Sequence, residues 1–131
     1  MNLSKSQRIF KKQLIHECDV FSKIRVREGR DWAFKYVRIG HDVKCRMSTL
    51  VRQNTEGEPN LRHEFVTPYR LYMLPMPVKQ DDYILFKGTF YQVKTKPINP
   101  SFLDHHYELP CDTTDDTFDI IEKDGMVMLD V

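Results

Sequence analysis

The chain has 131 residues, 40% of them apolar and 30% charged, with a formal net charge of +1. That length suits one domain around one core, and the composition excludes wholesale disorder. No apolar run approaches the about 20 residues of a bilayer-spanning helix, so no membrane partner is expected. The basic N-terminus MNLSKSQRIFKKQLIHE lacks the apolar stretch and small-residue cleavage site of a signal peptide, so synthesis in the cytosol is expected.

The near-neutral total hides an asymmetry. Basic residues concentrate before about residue 65. Between Asp104 and Val131, Lys123 is the sole Lys or Arg against nine Asp and Glu. A chain so divided is suited either to head-to-tail contact with copies or partners of opposite sign, or simply to carrying a solvated acidic end. Cys18, Cys45 and Cys111 form no CxxC pair and are odd in number, which predicts free, buried thiols.

In chain order, Ser4 is a helix N-cap followed by Ile9, Phe10, Leu14 and Ile15, a spacing that predicts a short amphipathic helix within residues 4–16. From Cys18 the period changes to two. Val20, Ile24 and Val26 share one parity and Lys23, Arg25 and Arg27 the other, as a half-buried strand requires. Trp32, Phe34 and Tyr36 then alternate with Ala33, Lys35 and Val37, and Val43, Cys45 and Met47 with Lys44 and Arg46. The run EFVTPYRLYML reads as extended, with Pro68 expected at an edge or bulge. DDYILFKGTFYQVKT predicts a hairpin turning at Lys87 and Gly88. KPINPS breaks the chain before HHYEL resumes it, and FDIIEKDGMVMLDV reads as a further hairpin turning at Asp124 and Gly125. That last hairpin is suited to adding to its own sheet or a neighbour's, or to protecting an exposed edge. The expected fold is mainly β, a small antiparallel β-barrel or sandwich in one domain, with a short N-terminal helix or arm over residues 1–17, a core over 18–111 and an acidic extension over 112–131.

Between Ser48 and Glu64 the stretch STLVRQNTEGEPNLRHE has no sustained apolar period and carries Asn54, Gly57, Pro59 and Asn60. A long inter-strand loop is predicted there, and loops of that length are either functional or disordered. The double histidine His105–His106 invites a metal or catalytic reading. On a strand, however, adjacent side chains diverge, and His105 and Cys111 would stand about 20 Å apart, so one ion could not join them. GxSxG, phosphate-loop, HExxH and paired-carboxylate signatures are all missing from the sequence. No catalytic residue, cofactor or metal is therefore assigned.

The order of these features resembles the head-closure or stopper proteins of tailed bacteriophages and prophages. The likeness rests on Cys18, Asp19 and Val20, then Asp82, Ile84, Gly88, Tyr91 and Val93 of the hairpin, then His105 and His106, and it covers roughly residues 14–110. The resemblance implies a non-enzymatic virion protein of the neck that forms a homo-oligomeric ring. Such a ring sits between the portal and adaptor on the head side and the tail terminator on the other, after assembly in the host cytoplasm. It also implies that the 48–64 loop lines the channel and holds packaged double-stranded DNA without sequence preference. The channel-lining residues would be Leu50, Val51, Arg52, Gln53, Asn54, Glu56, Glu58, Arg62 and His63. The basic segment 1–13 and the end beyond the closing strand depart from the family pattern. Two other readings stand beside this one: an adaptor, tail terminator or tail-completion ring protein, and a nucleic-acid-binding barrel stacking bases on Tyr83, Phe86, Phe90 and Tyr91.

Overall fold

A computed structural model describes residues 3–49 and 68–130. The protein is mainly β, with one short N-terminal helix and eight antiparallel strands in a single sheet. The helix α1, Lys5–Lys12, starts at Ser4 with a full capping box: the Ser4 hydroxyl accepts from the Gln7 N–H at 3.2 Å, and the Gln7 side chain accepts from the Ser4 N–H at 3.0 Å. Lys11 and Lys12 in its last turn face the negative end of the helix dipole.

Strand β1, His16–Glu28, and strand β2, Asp31–Thr49, form a long hairpin across Gly29 and Arg30. Strand β3, Tyr69–Met73, follows the segment outside the described residues. Then come β4, Tyr83–Phe86; β5, Thr89–Val93; β6, Tyr107–Thr113; β7, Asp119–Lys123; and β8, Met126–Asp130. The sheet order β1-β4-β5-β6-β3-β2 closes because β2 also pairs with β1, giving a ring of six strands. Strands β8 and β7 continue the sheet outward from β2, so the architecture is a closed ring with a flap rather than a clean barrel.

Alternation fills the ring. Cys18 and Val20, Cys45, Leu71 and Met73, Ile84 and Phe86, Tyr91 and Val93, and Leu109 and Cys111 all point inward as one cluster. Each large aliphatic side chain buried there contributes about 1.5–3 kcal/mol. A second cluster lies on the outside of the ring, where Phe21, Tyr83, Leu85 and Phe90 are covered by Phe118, Val127 and Leu129. The acidic C-terminal stretch therefore carries a structural hairpin. It joins the chain's own sheet through Val37 opposite Met128 and roofs an apolar patch.

Several expectations are revised. The two runs around Trp32 and Val43 belong to one 19-residue strand, and the buried parity of its distal half is that of Val37, leaving Trp32 and Phe34 54% and 65% exposed. Pro68 precedes β3, a strand flanked by β2 and β6, and so takes no ladder donor from it. A different proline lies inside a strand: Pro110 in β6, opposite Arg70, and the Pro110 carbonyl accepts from the Lys94 N–H at 2.9 Å. Both predicted hairpin turns form. Lys87 and Gly88 have φ of 48° and 78°, and Asp124 and Gly125 have 54° and 76°, the left-handed pairs that suit a two-residue turn.

Two positions make the closure sensitive. Opposite Val20, where the β1–β2 register shifts, sits Gly40, and a Cβ there would stand 2.6 Å from Val43 Cγ2 and 3.0 Å from Met76 Cε. At the entry to β4, the buried Asp82 carboxylate accepts from the Lys79 N–H at 2.7 Å and the Lys23 N–H at 3.4 Å, tying the turn to β1. Gly40→Ala is expected to cost about 1–3 kcal/mol through overpacking, read as a lowered thermal midpoint; an unchanged midpoint would show that the bend tolerates a side chain. Burial pushes the Asp82 carboxyl above its ordinary 3.8, against the opposing pull of its N–H donors. The folded state thus holds that proton to higher pH than the unfolded chain. Its contribution to stability is full at low pH and is lost as pH rises from about 4 through the raised value. Asp82→Asn should flatten this decline in urea midpoints, and equal slopes for the two proteins would contradict the assignment.

Candidate functional site

The polar stretch singled out in the sequence begins two residues later than expected, because Ser48 and Thr49 belong to β2. Ser48 pairs with Arg70 and Thr49 with Tyr69. Leu50, Val51, Arg52, Gln53, Asn54, Glu56, Glu58, Arg62 and His63 all lie outside the described residues. What the structure fixes is their mounting. The segment leaves and re-enters the ring at two hydrogen-bonded neighbours at one end of the β2–β3 ladder.

Beside those stems, on the outside of the ring, the sheet is polar. Arg46 lies opposite Tyr72, Tyr72 opposite Glu108, and Arg70 opposite Pro110. Arg70 Nη1 donates to Glu108 Oε1 at 3.1 Å, and His106 Nε2 stands 3.3 Å from Glu108 Oε2. His105 and His106 precede β6, which starts at Tyr107, so the strand rule that would separate them does not apply. Their Nδ1 atoms meet at 2.8 Å. At that distance the two rings are hydrogen-bonded, with donor and acceptor set by their tautomers.

The helix α1 docks on this pair. Phe10 stacks on His106 with centroids 4.7 Å apart and meets His105 edge-on at 5.5 Å. Gln7 Nε2 donates to the Asp104 and His105 carbonyls at 3.2 and 3.1 Å. Between helix and sheet a cleft of about 320 Å³ is lined by Phe10, Gln13, Leu14, Arg46, Ser48, Tyr72 and His106. Sequence reasoning separated the helix from the histidines. The signal it lacked was the pair's position before the strand, where their rings converge.

The remaining chemistry-bearing groups are occupied. Asp19, His41 and Asp42 offer ligand atoms within 4.8 Å of one another. Asp19 Oδ1, however, already accepts from the Asp42 N–H and contacts His41 Nδ1, both at 2.9 Å, so the carboxylate is spent holding the β-bulge turn. All three cysteines are free and buried in the ring interior. A hydrogen bond to Cys45 together with burial pushes the Cys18 thiol far up, and burial pushes Cys111 up to about 12. The same hydrogen bond pulls the Cys45 thiol down against its burial, and all three side chains are packed in the ring interior away from solvent. Tyr83, Phe86 and Tyr91 are buried, and Phe90 packs against Phe21 and Phe118, so the aromatic set considered for base stacking is committed to the two cores.

No family model, curated protein or solved structure matches this chain.

None of the α1 residues is fully buried, so its docking depends on the Phe10 ring contacts and the Gln7 hydrogen bonds. Each aromatic contact contributes about 0.5–1.5 kcal/mol. Phe10→Ala should therefore speed amide exchange in residues 5–12 by about tenfold while leaving exchange in β3–β6 unchanged. Equal acceleration across the ring would mean that the helix and ring open as one unit.

Proposed function

We propose that this chain is a head-closure, or stopper, protein of a tailed-bacteriophage neck: a non-enzymatic subunit of a ring that joins the DNA-filled head to the tail. In this reading the segment between β2 and β3 gates the channel. The observation that carries the reading is the pairing of Ser48 with Arg70 and Thr49 with Tyr69. A closed six-strand ring is a stiff mount, and stems fixed side by side at its end let one excursion project from each copy toward a shared axis. The residues that carry the resemblance have structural roles in this scaffold. Cys18 and Val20 point into the ring, Asp82 ties the β4 turn to β1, Gly88 makes the β4–β5 turn, and Tyr91 and Val93 are core.

The charges of the segment agree with a passage that DNA must leave. Arg52 and Arg62 meet phosphates, while Glu56 and Glu58 prevent the tight grip that many uncompensated cations would give. On the same scaffold an adaptor, tail terminator or tail-completion subunit would present a comparable ring. Labelling the protein in assembled particles separates these positions.

Because the stems are adjacent partners, removing residues 50–62 leaves a connection of hairpin-loop length between them. The shortened protein should keep its thermal midpoint and enter particles, and those particles should package DNA and then lose it. Full, infectious particles carrying the shortened protein would refute gating by this segment.

A further inference from the structure

The flap leaves the sheet with two open strand edges, and their charges are opposite. Strand β1 pairs with β4 only at Asp19–Phe21, and from Ser22 to Glu28 it pairs with β2 alone. At Lys23 the open side is closed by side chains: the Lys23 N–H donates to Asp82 Oδ1 and its carbonyl accepts from Lys79 Nζ at 2.7 Å. Alternation then turns the main-chain groups of Arg25 and Arg27 toward the same open side. The side chains of Lys23, Arg25 and Arg27 are exposed on the outer face. At the other end of the sheet, β7 pairs, among the described residues, with β8 alone. It carries exposed Asp119, Ile120, Glu122 and Lys123, with Ile120 46% exposed.

We propose that these edges pair between copies: the distal half of β1 in one chain takes up β7 of a second copy as an antiparallel neighbour, extending one sheet from subunit to subunit. The inference rests on the ring reading for its setting, and on strand geometry for its form.

Direction, face and charge each favour this occupant. In the flap, β1 runs opposite to β2, β2 opposite to β8, and β8 opposite to β7. A second copy displaced along the sheet therefore arrives with β7 antiparallel to β1 and with its faces aligned. Ile121 lies on the inner face with Val26, Val37 and Met128, whereas Ile120 and Glu122 lie opposite Leu129 and Val127 on the outer face. Placing Val26 opposite Ile121 of the second copy sets Arg25 opposite its Glu122 and Arg27 opposite its Ile120. Two of these pairs are complementary: Val26 with Ile121 is apolar on the inner face, and Arg25 with Glu122 is opposite in charge on the outer one, while Ile24 meets Lys123 and Arg27 meets Ile120. A slip of one residue would set the inner face of one strand beside the outer face of the other. Glu28, which meets Asp119 in this register, has Lys35 at 3.5 Å and the chain's own Lys123 at 3.9 Å. Two β1 edges would place basic residues against basic residues, the usual protection against self-pairing, so charge permits the mixed pair and opposes that like one. Such a contact uses a different surface on each partner and repeats around an axis, as a ring requires. One short ladder is weak, and closure multiplies it.

The test is a charge exchange. Arg25→Glu/Arg27→Glu makes both edges acidic, and Asp119→Lys/Glu122→Lys makes both basic. In sedimentation at up to about 1 mM chain, the wild type should associate and each variant alone should stay monomeric, while their mixture should regain association. A second measurement captures transient contact: Arg25→Cys mixed with Glu122→Cys should give a disulfide-linked heterodimer, with Arg25→Cys alone giving none.

No association and no trapped dimer overturns the proposal. Association lost in the β7 variant but kept in the β1 variant also overturns it, by assigning the contact to β7 against β7. So does a β1 variant that associates normally yet no longer shows quenching of Trp32 by a single-stranded oligonucleotide, which would assign the basic face to nucleic acid. Neck imaging distinguishes the two levels. A neck ring in which these edges do not meet sinks the edge pairing and leaves the proposed function standing. Rescue in solution by a protein that is absent from the neck does the reverse.

Discussion

The structure depends on β1 being shared between two partners. Over Asp19–Phe21 it pairs with β2 on one side and β4 on the other, and this double use turns a meander into a closed ring. The register shifts at Val20 and Phe21 make this sharing compatible with the long β2 partner, because the extra residue bends the hairpin away from the ring. Gly40 is required there for lack of space: Val43 and Met76 occupy the volume that a side chain would need. Val20, Phe21 and Ser22 are consecutive and all buried, which a strand with one wet face does not allow. Val20 belongs to the ring interior and Phe21 to the roofed outer cluster, so the strand is covered on both faces at the point of closure.

What could be read from the sequence follows from the range of the interactions involved. The Ser4 cap, the Lys87–Gly88 and Asp124–Gly125 turns and the buried thiols are set by neighbours within a few residues, and all form as expected. The inward parity of β3 to β6 was also accessible, because one continuous core lies behind those strands. The misreadings arise where a distant element decides. Trp32 and Phe34 look like core residues by hydropathy, yet the cluster of Val26, Val37 and Met128 buries the opposite face of their strand. His105 and His106 would diverge on a strand, but β6 starts one residue too late, and Phe10, almost a hundred residues earlier, stacks on the pair. Within residues 112–130 the sequence predicts the hairpin at Asp124 and Gly125, and it forms on the chain's own sheet; its pattern does not reveal that Phe118, Val127 and Leu129 roof the outer cluster. As for the segment between β2 and β3, sequence supplied its composition and structure its mounting; the two meet only at Ser48 and Thr49.

Among the described residues, most polar groups are engaged in holding the fold together. The ring interior buries three cysteines, of which Cys18 and Cys111 are pushed up, and the carboxylate nearest a histidine and a second acid is already hydrogen-bonded to the main chain. Asp82, a buried acid, spends its oxygens on two N–H groups that fasten a turn. Polar groups in this protein mostly join elements to one another. The exception is the outer surface of the flap, where Arg25 lies over Trp32 at 4.9 Å and Lys23 over Phe34 at 5.4 Å. These aromatic rings are matched with cations and left in solvent, which is the composition of an interface anchor.

A subunit that closes its sheet completely presents no strand edge and must associate through side chains alone. A fully open sheet offers edges but also invites indiscriminate pairing. This chain lies between the two: six strands are sealed, and the two remaining edges belong to a flap with basic residues at one end and acidic residues at the other. The sealed part holds Thr49 and Tyr69 as paired neighbours on β2 and β3. In the proposed ring the flap would exchange partners at low cost during assembly, because each short ladder would be weak until the circle closed. The charge asymmetry of the sequence would then acquire a geometric meaning, marking which end of one sheet meets the other end of the next.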